Sequence, residues 1–418
     1  MQARFFLSCL SVFMMLSGSG AADERILTIG VSGTYSGGFA TVGKHVGDGM
    51  TDYLNYLAAH GGIVYTDPLS GKKEKAAVRV CIEDNRYEIS SAVRAYWKLK
   101  AGGANVIIGF GSTPGEICSA LASYDKLPYL AWYSYASPVA YWPRPRYYWS
   151  FLPSIAESAT PMIKWFLNRK WQGEGKAKIG ILAADLPSWR VLGKPGLMDS
   201  YIRKQGGEPA GIEFIPLDAA DMAAPIAKLV FHQRADCLIL IGASAHTAVL
   251  AKDLRRLGID PEKITVICSL SAWDESIFTS VPEGVEGLYG EVHAVSPNTD
   301  VPGMQMVKAA AKAAGRDSEK IVMNYINGFM GAFVLETAIR RALEKYGYEK
   351  TVKSGAPIRY ELHNFSSADP LGLAPAIEVR HTEQPYFINY ARIVRAKNGK
   401  FEDAGDWIPI DRINGSLE

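Results

Sequence analysis

The stretch Ala235-Asp236-Cys237-Leu238-Ile239-Leu240-Ile241-Gly242 is an apolar run, and a helical pattern follows it at once to Leu257-Gly258-Ile259. That pairing reads as a buried strand and the helix that crosses over from it. Similar apolar segments recur at Ile26 to Gly30, Val78 to Glu83, Val106 to Gly109, Tyr129 to Trp132, Ile179 to Ala183 and Thr265 to Cys268, nearly all followed by a helix-period segment. Strands that alternate with helices predict parallel sheets covered on both faces, so the fold class is α/β.

The first unit shows the plan in detail. A strand from Ile26 to Val31 leads through the turn Ser32 to Gly38 into a helix that places Val42, Val46, Met50, Tyr53, Leu54 and Leu57 on one stripe. Gly61-Gly62 ends it, as helix C-termini often require. The third unit carries Val106-Ile107-Ile108-Gly109-Phe110-Gly111-Ser112-Thr113-Pro114, with hydroxyls at a helix start and proline in its first turn. Such a start is suited to an anion, because its backbone N–H groups lack partners within the helix. Pro143-Arg144-Pro145-Arg146 interrupts the pattern, and an aromatic strand from Tyr147 to Leu152 leads toward a second series of units. Tyr289 to Val295 reads as the strand that returns to the first domain, followed by helices at Met304 to Ala314 and Asn324 to Tyr346. In the tail, Tyr386 to Val394 and Phe401 to Ile410 flank Asn398-Gly399, which suits a tight hairpin turn.

At 418 residues the chain is too long for one doubly wound domain. Its first residues read as an export signal: Arg4 precedes an apolar run from Phe5 to Leu16, then small residues through Ala22, which places cleavage near residue 22. About twelve apolar residues fall short of the roughly 20 that a membrane-spanning helix needs, which argues against an uncleaved anchor. Cys9 lies inside the apolar run, too early for lipid attachment. Removing Arg4 takes the formal charge from +2 to +1, so the surface offers no electrostatic case for nucleic acid. Cys81, Cys118, Cys237 and Cys268 remain; three of them fall in or at the end of apolar strands, which favours buried thiols over disulfides. The histidines show no metal-ligand spacing, and neither a metal nor a cofactor is expected.

Ile29-Gly30-Val31 with Ser36-Gly37 and Gly43, Gly61-Gly62-Ile63, Asp84-Asn85, and Ile108-Gly109 with Ser112-Thr113 form an ordered set of short matches to a known family. Asp221-Met222 with Ile226 to Leu229, Ala235-Asp236, Leu257-Gly258, Gly284 to Gly287 and Tyr325 with Gly328 continue it. By these residues the chain resembles the type I periplasmic solute-binding proteins of ABC transporters, in particular the branched-chain amino acid and amide receptors. The resemblance implies two Rossmann-like lobes joined by three crossing segments, with a ligand held in the cleft between them. Residues 1–22 are then the signal, 24–150 plus 290–367 the first lobe, and 151–289 plus 368–418 the second. It also implies a periplasmic location, a monomer, a small carboxylate-bearing solute, and an ABC-transporter permease complex as partner.

In open parallel sheets a ligand lies at the carboxyl ends of the strands. Gly111, Ser112 and Thr113 occupy that place after the third strand, where the family offers N–H and hydroxyl donors to a carboxylate; the alternative is simple N-capping. Trp132, Tyr133, Ser134 and Tyr135 align with the family's second carboxylate-binding segment and would form an aromatic wall. Trp189, four residues after Asp185, matches the aromatic that lies over the ligand, unless it packs on a neighbouring loop. Ala243 and Ser244 match another cleft-lining loop. Around Leu270, Ser271, Trp273 and Asp274 an amino acid receptor supplies a carboxylate to the ligand ammonium, yet the aligned place holds Leu270 or Ser271. Asp274 would substitute if the loop shifts, and otherwise caps the next helix. The departure suggests a ligand with a carboxylate but no α-ammonium, such as an aromatic or aliphatic acid.

An enzyme is the rival class. Gly30-Val31-Ser32-Gly33 with Gly37 lacks the dinucleotide glycine pattern, and Gly242-Ala243-Ser244-Ala245-His246 lacks the second glycine of a nucleophile elbow. A soluble sensor that reports to a membrane signalling protein is the other alternative.

Overall fold

A computed structural model describes residues 25–132, 146–281, 284–379 and 386–413. Among them are two sheets, in agreement with the two series of units. The first has six strands in the order β2-β3-β1-β4-β5-β6: β1 Ile26–Gly33, β2 Ile63–Thr66, β3 Lys73–Asp84, β4 Val106–Gly109, β5 Tyr129–Ala131 and β6 Tyr148–Ser150. All neighbours are parallel except β2 and β3. The second sheet runs β13-β12-β11-β10-β9-β7-β8, with β7 Lys178–Ala184, β8 Glu208–Ile215, β9 Cys237–Ile241, β10 Thr265–Cys268, β11 Tyr289–Val292, β12 Tyr390–Lys397 and β13 Lys400–Asp403. A short β14, Ile408–Pro409, adds to β12.

Strand β9, the quoted stretch, is buried at every position. It sits inside the second sheet between β7 and β10. A central strand covered by helices on both faces must be apolar throughout, which is why no alternation shows in its sequence. The edge strand β8 is instead half exposed, so its sequence carries no continuous apolar run.

One expectation is corrected. Tyr289 to Val295 does not return the chain to the first lobe: β11 runs parallel beside β10 and antiparallel beside β12, inside the second sheet. The crossing begins only after it. Three chain segments then lie side by side between the sheets. The Phe151 carbonyl accepts from the N–H groups of Phe387 and Ile388, both at 3.1 Å, and the Val295 N–H donates to Leu373 O at 2.8 Å.

The helix Ala40–Ala59 packs against the long helix Met323–Tyr346 on the first sheet. Tyr325 donates its hydroxyl to Asp52 at 2.9 Å, and the Arg316 guanidinium closes the same carboxylate. Cys118, Cys237 and Cys268 are buried free thiols and Cys81 is a half-buried one. Residues 1–22, expected to be an export signal, and residues 133–135 lie outside the described residues. Among the described residues no helix is long and apolar enough to cross a membrane.

Candidate functional site

The carboxyl ends of β1, β3 and β4 converge on one buried side chain. Asn85, at the end of β3, donates from Nδ2 to the carbonyls of Ser32 (3.1 Å) and Phe110 (3.0 Å) and accepts at Oδ1 from Thr34 Oγ1 (2.5 Å) and Tyr87 N–H (2.9 Å). It thereby ties three loops together and sets the position of Tyr87. Both Arg86 and Tyr87 take positive φ angles, 55° and 58°. Two successive non-glycine residues in that region are strained and persist only where surrounding bonds hold them. Asp84 supplies part of that hold, accepting from the N–H groups of Tyr35 (3.0 Å) and Arg86 (2.9 Å) and from Ser36 Oγ (2.6 Å). Asn85→Ala is expected to destabilise the protein by about 2 to 3 kcal/mol, since buried carbonyls lose their donor. The midpoint of urea unfolding checks it; an unchanged midpoint would show that the three loops hold without Asn85.

Tyr87 is the hub of an aromatic cluster. Its ring lies 4.3 Å from that of Phe39 and 6.3 Å from that of Phe110; Phe110 stacks on Trp132 at 5.0 Å, and Phe39 meets Trp189 edge-on at 6.1 Å. These rings enclose a small cavity between the sheets. Phe39, Tyr87, Phe110, Gly111, Ser112 and Trp132 line it from the first lobe and Trp189 and Ser271 from the second, around a tight space of about 10 Å³. No charged side chain is among them.

Ser112 opens the helix Ser112–Asp125, as its pattern of hydroxyls and Pro114 suggested. The Tyr87 and Ser112 hydroxyls lie 2.9 Å apart. Burial pushes the Tyr87 phenol up to about 12, so it stays a neutral O–H at ordinary pH. Ser271 donates its own proton to Gly242 O at 2.6 Å, which leaves it an acceptor toward the cavity.

Of the residues singled out from sequence, Gly111, Ser112, Trp132, Trp189 and Ser271 come together at this cavity. Thr113 stands at its rim, with Oγ1 3.4 Å from Ser188 Oγ across the gap between lobes. Ala243, Ser244 and Leu270 are buried nearby without lining it. Ala243 and Ser244 form the start of the helix Ser244–Arg256, where the Ala243 N–H donates to His246 Nδ1 at 2.9 Å. Tyr133, Ser134 and Tyr135 lie outside the described residues.

Trp273 and Asp274 stand apart from this cavity. Trp273 is fully buried in the second lobe, stacked on Phe401 at 5.1 Å, and does not line the cavity. It fills the space that Gly290 leaves on β11, where a Cβ would come within 2.0 Å of the indole. Asp274 is fully buried and already committed. It accepts from Asn324 Nδ2 (2.8 Å), His45 Nδ1 (3.2 Å) and the Ser276 N–H (3.0 Å). Burial alone would raise its carboxyl; the bonds from His45, Ser276 and Asn324 hold it below the usual carboxylate range. It is an ionised acceptor with its partners in place, and it does not line the cavity.

Sequence reasoning missed Phe39, Tyr87 and Phe110. All three sit in loops that follow strands β1, β3 and β4, so the rule that ligands meet carboxyl ends of strands could have found them.

The chain belongs to the periplasmic binding protein family, whose model matches residues 26–400. That family and this fold are those of substrate-binding receptors. Among solved structures, the branched-chain amino acid ABC transporter protein of Thermus thermophilus with bound valine is similar at 16% identity and TM-score 0.77, covering 92% of this chain and 97% of that one. A solute-binding protein of Rhodopseudomonas palustris BisB5 in complex with 3,4-dihydroxybenzoic acid is similar at 19% identity and TM-score 0.71, covering 94% and 99%. The fatty acid ABC transporter substrate-binding protein of Thermomonospora curvata is similar at 17% identity and TM-score 0.73, covering 94% and 95%. No curated protein matches the chain in sequence.

Proposed function

We propose that this protein is the extracytoplasmic receptor of an ABC importer and that it captures a small aromatic or apolar monocarboxylate lacking an α-ammonium group. The observation that carries the ligand class is the cavity itself: among the described residues it is lined by five aromatic residues, two serines and a glycine, and by no charged side chain. An ammonium enclosed there would lack a counter-ion, at a cost of several kcal/mol. The only acid that the family pattern offered for it, Asp274, is bound instead by His45, Asn324 and Ser276.

A carboxylate has a better reception. With Tyr87 donating to Ser112, the Ser112 hydroxyl proton is left for an acceptor in the cavity, beside the N–H groups that open the helix. The Trp189 indole N–H is buried and has no hydrogen-bond partner among the described residues, so it offers a second donor to an oxygen-bearing ligand. A flat ring would stack among Phe110, Trp132 and Tyr87, which adds about 0.5 to 1.5 kcal/mol beyond burial. Comparable structures hold valine in one case and dihydroxybenzoate in another, so the fold accommodates both chemistries and the lining decides between them.

The reading includes cleavage of the signal near residue 22, release to the periplasm, a monomer, and capture followed by delivery to a permease. The family and the fold, those of substrate-binding receptors, support a receptor rather than an enzyme.

Calorimetry or thermal shift with 4-hydroxybenzoate, benzoate, octanoate, leucine and valine tests the ligand class. An acid present at 100 times its Kd should stabilise the protein by about 2.7 kcal/mol, while leucine and valine leave it unchanged. Tight binding of leucine instead would return the protein to the amino acid receptors. Ser112→Ala should weaken the acid by about 1.5 to 3 kcal/mol, the range for a hydrogen bond to a charged group. Equal binding of the acid and its primary amide would remove the carboxylate from the proposal.

A further inference from the structure

Asp274 and Glu275 belong to the second lobe, in the loop after β10, yet their partners lie on the first. Asp274 uses its two oxygens differently. Oδ1 accepts from the Ser276 N–H and hydroxyl and so shapes its own loop. Oδ2 crosses to Asn324 Nδ2 at 2.8 Å and His45 Nδ1 at 3.2 Å. Next to it, Glu275 Oε2 accepts the Met323 N–H at 2.8 Å. His45 lies on the helix Ala40–Ala59, while Met323 and Asn324 open the helix Met323–Tyr346 against it, so both partner elements are part of the first lobe. The Met323 side chain itself is buried in the second lobe's apolar cluster. The crossing is dry on the Asp274 side, whose side chain is 1% exposed against 25% for His45.

We propose that Asp274 and Glu275 form a closure latch, a polar clasp that holds the two lobes together independently of the ligand, and that Asp274 is a positioning residue for ligand retention. The retention half rests on the receptor reading above; the latch half does not. Separation of the lobes would leave His45, Asn324 and the first N–H of a 24-residue helix to water, and would expose the Met323 side chain. The hydrogen bonds are short-range and join one lobe to the other, so they favour the arrangement described here over one with the lobes apart. A binding-competent state that is populated in advance raises apparent affinity by the fraction populated. Asp274, an acid near the place where an amino acid receptor supplies a carboxylate, is here turned toward the opposite lobe. Burial pushes the neighbouring Glu275 carboxyl up to about 8, so at neutral pH the clasp carries little net repulsion between the two acids.

Two variants approach the clasp from opposite sides. Asp274→Asn keeps an oxygen for the Ser276 cap while losing the anionic acceptor that faces the first lobe. The pair His45→Ala with Asn324→Ala leaves the second lobe untouched. Small-angle X-ray scattering of the ligand-free full-length mature protein reads lobe closure directly. The wild type is expected to match the radius of gyration of the closed arrangement described here, and both variants to show a larger one with unchanged far-UV circular dichroism. Equal radii for wild type and both variants, whether open or closed, overturn the latch. Stopped-flow release of 4-hydroxybenzoate supplies the second readout: release should be roughly tenfold faster in both variants, with little change in the association rate. If the wild type does not bind 4-hydroxybenzoate, the ligand class proposed above fails while the scattering comparison still decides the latch.

Discussion

Trp189→Ala is expected to reduce the affinity for an aromatic acid by about 3 kcal/mol, roughly a hundredfold, as removal of a buried aromatic anchor does at a binding hot spot. Three observations converge on that residue. It is 2% exposed, it lines the cavity from the second lobe, and it meets Phe39 of the first lobe edge-on. Its indole therefore contributes both to the ligand wall and to the contact between lobes, and truncation removes both at once. Because the indole is also part of the buried apolar core, truncation should lower the melting temperature of the ligand-free protein as well. Titration calorimetry with the acid that binds wild type best, paired with a thermal melt, checks both halves. Retained affinity in a folded variant would place the ligand elsewhere.

Gly328→Ala should be among the most destabilising single substitutions in the first lobe. The helices Ala40–Ala59 and Met323–Tyr346 cross so closely that a Cβ at Gly328 would lie 2.1 Å from Val46 O, and one at Gly49 would lie 2.0 Å from Tyr325 O. These are contacts with backbone, which cannot swing aside as a side chain can. The helices must separate to admit a methyl group, and overpacking of this kind costs about 1 to 3 kcal/mol and occasionally more. The same separation would disturb Tyr325 and Asp52, which are hydrogen-bonded at 2.9 Å beside the crossing. The urea midpoint is expected to fall, and Gly49→Ala should behave alike because it strikes the same crossing from the other helix. Wild-type stability in either variant would mean that the two helices are less tightly apposed than described.

The alternation of strand and helix was legible because it is written in local periodicity. Runs such as Cys237–Ile241 must be apolar when both faces are covered, and the stripe Val42, Val46, Met50 and Tyr53 must recur at helical spacing when one face is buried. Strand β11 was assigned to the wrong lobe for a corresponding reason: membership of a sheet depends on which neighbours a strand pairs with, and Tyr289–Val292 carries no local mark of pairing with β10 and β12.

At the site, the sequence by itself determined which loops follow the strands and which of them open helices; Gly111 and Ser112 from that reading, and Trp132 and Trp189 from the resemblance to known receptors, line the cavity. Where side chains point across a gap between lobes was decided only by the tertiary structure. Trp273 turned into the second lobe because Gly290, seventeen residues later, leaves room for an indole. Asp274 turned to the first lobe because His45 and Asn324, distant in the chain, offer donors that a buried carboxylate needs. Tyr87 joined the cavity because Asn85 gathers three loop ends and accepts its N–H in a conformation that local preference disfavours. Periodicity sets which elements form; the partners of a buried polar group lie far away in sequence, and only folding brings them within hydrogen-bonding distance.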